Sequence, residues 1–214
     1  MDAVVRMFQE GGFAMYPLLL CSILVVAVAI QRSITLAKAR VDPYTFSTEL
    51  RRVLVSEGLQ QGAAYCRAYD TPVSRVCLTA ILQHDRKRQD LEATLSNSVK
   101  VEGSRLGSTL STIGTIGALA PFIGLFGTVI AIRGSIREIS LTQRAGTAEI
   151  YGHIGEALVA TAAGLLVGIA AVFIYNWLTN WVESFDVDMQ VAANEMIYVV
   201  KEALPGSDVG EEVV

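Results

Sequence analysis

Three long stretches of the chain, residues 11–31, 106–132 and 157–182, contain no Asp, Glu, Lys or Arg. Each reaches the ~20 mostly apolar residues that a helix needs to cross a bilayer. Backbone N–H and C=O groups in lipid must be paired within their own segment, so each run predicts a membrane-spanning helix. Between the first two runs the pattern changes. Phe46, Leu50, Val53 and Leu54, then Val76, Ala80 and Ile81, recur at helical spacing among polar residues. Asp42-Pro43 and Asp70-Thr71-Pro72 read as turns or helix starts. The expected unit is a small helical domain, too short for an independent enzyme core.

After the third run, Leu178, Val182, Phe185, Met189, Ala192, Met196, Val199 and Ala203 alternate steps of four and three. This heptad-like seam predicts a helix continuing beyond the membrane. It has two packing partners open to it: the domain before the second span, or a neighbouring copy. Trp177 and Trp181 fall where an aromatic belt would form, and Pro205-Gly206 ends the helix.

Composition agrees with the membrane reading: 52% of residues are hydrophobic and 18% charged, too apolar for an ordinary soluble domain. A cleaved signal peptide is the competing reading of the first run, with Ala27-Val28-Ala29 as an A-x-A-like triplet. The missing basic n-region and the long apolar core favour a retained span. Cys21, Cys66 and Cys77 are odd in number and widely spaced, which fits neither a disulfide framework nor a C-x2-C metal site.

Charge sets the orientation. Residues 32–105 hold twelve of the seventeen Lys and Arg. The positive-inside rule makes that segment and the C-terminus cytoplasmic, and puts the N-terminus and the second link outside. The expected organisation is an all-α membrane protein: an N-terminal interfacial segment (1–12), first transmembrane helix (13–36), cytoplasmic helical domain (37–105), second transmembrane helix (106–134), periplasmic link (135–147), third transmembrane helix (148–180), cytoplasmic C-terminal helix (181–204) and mobile tail (205–214).

The second and third runs are rich in small residues, with Ala120, Gly124 and Thr128 in one and Ala160, Gly164 and Gly168 in the other at four-residue spacing. Small-xxx-small faces let helices approach closely in lipid. Pro121 is expected to kink the second span.

Glu156 asks for more. As a helix N-terminal acid it would sit at the headgroups, favoured by the helix dipole. If the helix starts a few turns earlier, Glu156 lies within the membrane, where an acid is costly and points to function. None of the three runs carries a basic residue to neutralise it, so water, hydroxyls or another chain must serve. Thr128 and Thr161 offer hydroxyls to a hydrated path, or bond back to their own helices. His153, at i−3, either tunes Glu156 or is a satisfied interfacial histidine. His84, in His84-Asp85-Arg86-Lys87-Arg88, reads as part of a solvated basic patch.

Residues Ala120-Pro121-Phe122-Ile123-Gly124-Leu125-Phe126-Gly127-Thr128-Val129 resemble the second-span motif of the ExbB/TolQ/MotA proton-channel family. Ile154-Gly155-Glu156-Ala157-Leu158-Val159-Ala160-Thr161-Ala162-Ala163-Gly164-Leu165 resembles the third-span motif, Tyr175-Asn176 matches the end of that span, and Gly11-Gly12 to Tyr16-Pro17 resembles the start of span one. With three spans, the chain is most similar to the ExbB/TolQ branch. The resemblance implies a homopentamer around a central pore, enclosing the single-span helices of an ExbD-, TolR- or MotB-like partner dimer whose Asp carries protons. A TonB- or TolA-like protein is a further implied partner. It also implies a proton pathway through Glu156, Thr128 and Thr161 in a bacterial inner-membrane motor. Ala170 departs from the family's frequent Pro, and His153 lies outside its pattern. The output would be TonB-type uptake, Tol-type envelope maintenance or gliding.

A stand-alone transporter would call for a site of several polar groups or broken-helix repeats. A scaffold would tolerate polar changes in the spans. An intramembrane enzyme is disfavoured by the lack of a Ser/His pair, an Asp pair or H-E-x-x-H. No cofactor, metal or nucleic-acid partner is expected.

Overall fold

The computed structural model describes residues 11–142 and 147–203. Residues 1–10, most of the segment expected to be interfacial, and the expected tail lie outside them. The described residues form seven α-helices: α1 Met15–Ala39, α2 Pro43–Glu57, α3 Leu59–Tyr69, α4 Pro72–Leu82, α5 Arg88–Gly107, α6 Leu110–Thr142 and α7 Thr147–Tyr198. A π-helical turn, Val199–Ala203, follows α7. Three helices are long and apolar enough to cross a membrane, within Met15–Ala39, Leu110–Arg137 and Gly152–Lys201. Contacts sort the described residues into two compact units, one within Met1–Arg32 and Thr109–Leu178, the other within Ser33–Ser108 and Thr179–Val214.

In the first unit α6 and α7 meet backbone to backbone. A Cβ on Gly124 would stand 2.8 Å from the Ala160 carbonyl oxygen, and one on Gly117 would stand 2.9 Å from Val172 Cγ2. Helix α6 runs unbroken through Pro121. The proline ring fills the notch left by Gly168, where a Cβ would lie 2.9 Å from both Cδ and Cγ. The contact leaves the expected line at one point. After Ala120 and Gly124 it continues at Gly127, whose Cβ would meet Ala14 and Ala160, and not at Thr128. Successive steps of four rotate by about 40° around a 3.6-residue helix, so a step of three returns the seam to its face. Outward, Phe122, Phe126, Leu166, Ile169 and Phe173 are exposed, as a lipid-facing or chain-facing surface requires. Only 11% of the most apolar stretch of α1 is buried, against 33% in α6 and α7. That makes α1 the most peripheral of the three.

The second unit is a helical domain with a conventional core. Its helices start where the sequence places turn or helix-start signals. Asp42 accepts from the Thr45 amide at 3.1 Å with Pro43 in the first turn of α2. The Thr45 hydroxyl and amide hold the Asp42 carboxyl below its ordinary range. Thr71 and Ser74 form a reciprocal capping box, 3.2 Å and 2.8 Å, and Asp70 turns the chain in the left-handed region at φ 42°. Leu50, Leu54, Val76, Ala80, Leu91 and Leu95 are buried. Cys66 and Cys77 lie in the same core, where burial pushes both thiols up, Cys66 to about 12. Arg75 ties the α3–α4 corner to α5, reaching Asp70 at 2.8 Å and Glu102 at 2.9 Å.

The heptad seam is buried at Val182, Phe185, Met189, Ala192, Met196 and Val199. Asp186 abuts Gly103 of α5, and Lys201 donates to the His84 carbonyl at 2.8 Å. Of the two partners open to it, the seam takes the domain of its own chain.

Candidate functional site

Glu156, Ala160, Gly164 and Gly168 recur every four residues along α7. The last three are the small residues that meet α6; Glu156 lies one turn beyond Ala160, at the edge of that face, with the neighbouring Ala157 buried and Glu156 itself about one-third exposed. Helix α7 begins at Thr147, nine residues earlier, so Glu156 stands in its third turn rather than at its N-terminus. Of the two placements open from sequence, the structure has the earlier helix start.

Three elements converge on this point. Gly127 of α6 faces Ala14 of the α1 entry and Ala160 of α7; a Cβ there would lie 2.7 Å and 3.0 Å from theirs. One turn outward, the Glu156 carboxylate packs against Gly12, where the chain turns at φ 62° before entering α1. The Gly12 carbonyl accepts the Met15 amide at 3.2 Å, which closes the first turn. On the other side, His153 Nδ1 stands 3.6 Å from Glu156 Oε2, an ion-pair distance only if the imidazole is protonated and too long for a hydrogen bond. Both side chains are about one-third exposed, at 32% and 37%. The His153 ring also lies beside Gly134 of α6, whose Cβ would be 3.9 Å from Cε1.

The two threonines separate. Thr161 reaches across to α6 and donates to the Gly124 carbonyl at 3.4 Å. Thr128 donates back to the Leu125 carbonyl of its own helix at 2.6 Å. The structure therefore brings His153 to Glu156, places Thr161 in the α6–α7 seam one turn inward, and leaves Thr128 beside the seam. Gly12 was missed as a site residue. Gly11-Gly12 signals a helix boundary, but nothing in the sequence says which side chain comes to rest on it. Among the described residues there is no group of three or more His, Cys, Asp or Glu placed to hold a metal ion.

Fold and site together define an all-helical membrane protein whose third apolar helix presents an acid to the entry of the first, one turn from where Ala14, Gly127 and Ala160 meet. Residues 35–191 match the MotA/TolQ/ExbB proton channel family. The chain is 31% identical over 193 residues to the biopolymer transport protein ExbB of Neisseria meningitidis, covering 84% of this chain and 86% of that protein. It is 40% identical over 90 residues to the ExbB of Xanthomonas campestris pv. campestris, covering 42% and 36%. Against the ExbB of Salmonella typhimurium it is 38% identical over 103 residues, covering 48% and 42%. The chain belongs to the MotA/TolQ/ExbB proton channel family, and it is a proton-channel subunit of an energy-transducing membrane complex.

Proposed function

We propose that this chain is the channel subunit of an inner-membrane motor that turns the proton-motive force into mechanical work on envelope partners, as in TonB-dependent uptake. The observation that carries the proposal is Glu156 in the third turn of α7, its carboxylate packed against Gly12 one turn from where Ala14, Gly127 and Ala160 meet, beside runs that contain no Lys or Arg. An acid so placed is relieved by water, by a second chain or by a proton. Taking up and releasing that proton is the elementary act of a proton path.

In this reading Thr161 and Thr128 offer hydroxyls along the same path. The Thr161 bond at 3.4 Å is long, so its hydroxyl turns to water at small cost. The working unit is a homopentamer around a central pore, enclosing an ExbD-like partner dimer that carries the exchanging Asp, with a TonB-like protein as the driven element. The exposed apolar surface of α7, with Ile169 71% and Phe173 73% exposed, supplies area for neighbouring copies and the partner. The N-terminus faces the periplasm and the basic domain the cytoplasm.

The test is Glu156→Gln, which keeps the shape and removes the exchangeable charge. In the native host, with the partner genes present, it should abolish proton-driven uptake while membrane abundance and assembly mass stay as in wild type. Uptake that persists at the wild-type rate would overturn the assignment of Glu156.

A further inference from the structure

We infer that Gly12 is a positioning residue for the Glu156 carboxylate. The inference rests on the proposed role of Glu156, but its geometry stands independently. Gly12 presents a bare Cα to the carboxylate, and a Cβ built on it would overlap Oε1 and lie 2.8 Å from Cδ and 3.2 Å from Cγ. All three atoms belong to the outer half of one flexible side chain, and they are the nearest atoms the Cβ would meet. A methyl at Gly12 therefore displaces the carboxylate and not the helices. This is unlike Gly124 or Gly164, where a Cβ meets backbone atoms of the opposite span.

The location makes the displacement matter. Gly12 holds the αL turn at φ 62° that leads into α1, a conformation glycine adopts freely. Two residues later, Ala14 is packed against Gly127, which also touches Ala160, one turn along α7 from Glu156. The α1 entry is thus fixed relative to α6 and α7, and the gap it leaves at Gly12 is where the carboxylate rests. On its far side the carboxylate faces His153. It lies between a wall without a side chain and an imidazole, so a residue larger than glycine pushes it off the wall.

Gly12→Ala supplies the Cβ with backbone strain. Gly12→Asn supplies it with much less, because Asn tolerates the left-handed region. Both variants are made in the full chain with its partner, in native membranes. Two readouts are followed: proton-driven uptake, and the rate at which a hydrophobic carbodiimide labels Glu156, with Glu156→Gln marking the background. Both variants should lower uptake on the order of tenfold and change the labelling rate by at least about threefold, as sub-ångström to ångström misplacement of a reacting group does. Shortening the acid by one methylene, Glu156→Asp, should recover part of the uptake lost in Gly12→Ala. A labelling rate unchanged in both variants would overturn the inference. So would a defect confined to Gly12→Ala, which would show backbone strain and not displacement. Uptake that survives Glu156→Gln would instead sink the proton-path reading, and a changed labelling rate would still report the Gly12–Glu156 contact.

Discussion

Gly124 and Gly164 face one another across α6 and α7 with no side chain between them. A Cβ on Gly164 would stand 2.9 Å from Gly124 Cα and 2.7 Å from the Ala120 carbonyl oxygen. Atoms of two backbones cannot retreat as a rotamer can, so the helices themselves must separate. Gly164→Ala is expected to cost about 1–3 kcal/mol, the range for overpacking. A lowered melting temperature of the full chain in detergent checks this. Gly107→Ala, where a Cβ meets nothing within 4 Å, serves as the control and should leave it unchanged.

His153 is at ion-pair distance from Glu156 but beyond hydrogen-bonding distance. A contact of that length orients its partner weakly. His153→Gln should retain at least about a third of proton-driven uptake, consistent with a loss below ~1 kcal/mol, whereas Glu156→Gln abolishes it. Equal loss in both variants would make His153 an obligatory member of the path.

In the helical domain Arg75 satisfies Glu102, whose side chain is only 12% exposed, and Asp70, which is 83% exposed. Removing Arg75 leaves the Glu102 carboxylate to Arg105, which is 3.8 Å away and 67% exposed. Breaking a fully buried pair costs ~3–5 kcal/mol, and partial exposure of Arg75, at 28%, reduces the expected loss to about 1–3 kcal/mol. Arg75→Met should therefore lower thermal stability, and adding Glu102→Gln to it should restore a measurable part. If the double variant is no more stable than the single one, the pair is not what anchors α4 to α5.

Burial pushes the Cys66 thiol from 9.0 to about 12 and raises Cys77 as well. At about pH 8 the Cys66 thiolate is far scarcer than that of an exposed cysteine. Iodoacetamide should therefore leave both cysteines unmodified in the folded protein and alkylate them after denaturation, as mass spectrometry would show. The linkage has a definite sign: a folded-state value above the unfolded one gives stability that is intact below pH 9 and lost as pH climbs toward 12. Cys66→Ala should flatten the alkaline limb of the stability profile. An unchanged limb would place the loss elsewhere.

The sequence by itself determined the number of spans, the helical character of the domain, the turn or helix-start signals at Asp42-Pro43 and Asp70-Thr71-Pro72, and the suspicion attached to Glu156. These are local properties: charge-free length, spacing along one helix, and side chains that bond backbone three residues away. Membership of the family was legible too, because its motifs are contiguous. Tertiary structure decided matters that depend on which distant residues meet. It chose Gly127 over Thr128 for the seam, since helix rotation and not the spacing of small residues sets the contact face. It turned Thr161 across to Gly124 and Thr128 back to Leu125, an even choice for any hydroxyl considered on its own helix. It laid the heptad seam on its own chain, where the sequence showed only an apolar stripe needing cover. And it brought Gly12 to Glu156 across 144 positions of chain, a contact that spacing along a helix cannot reveal.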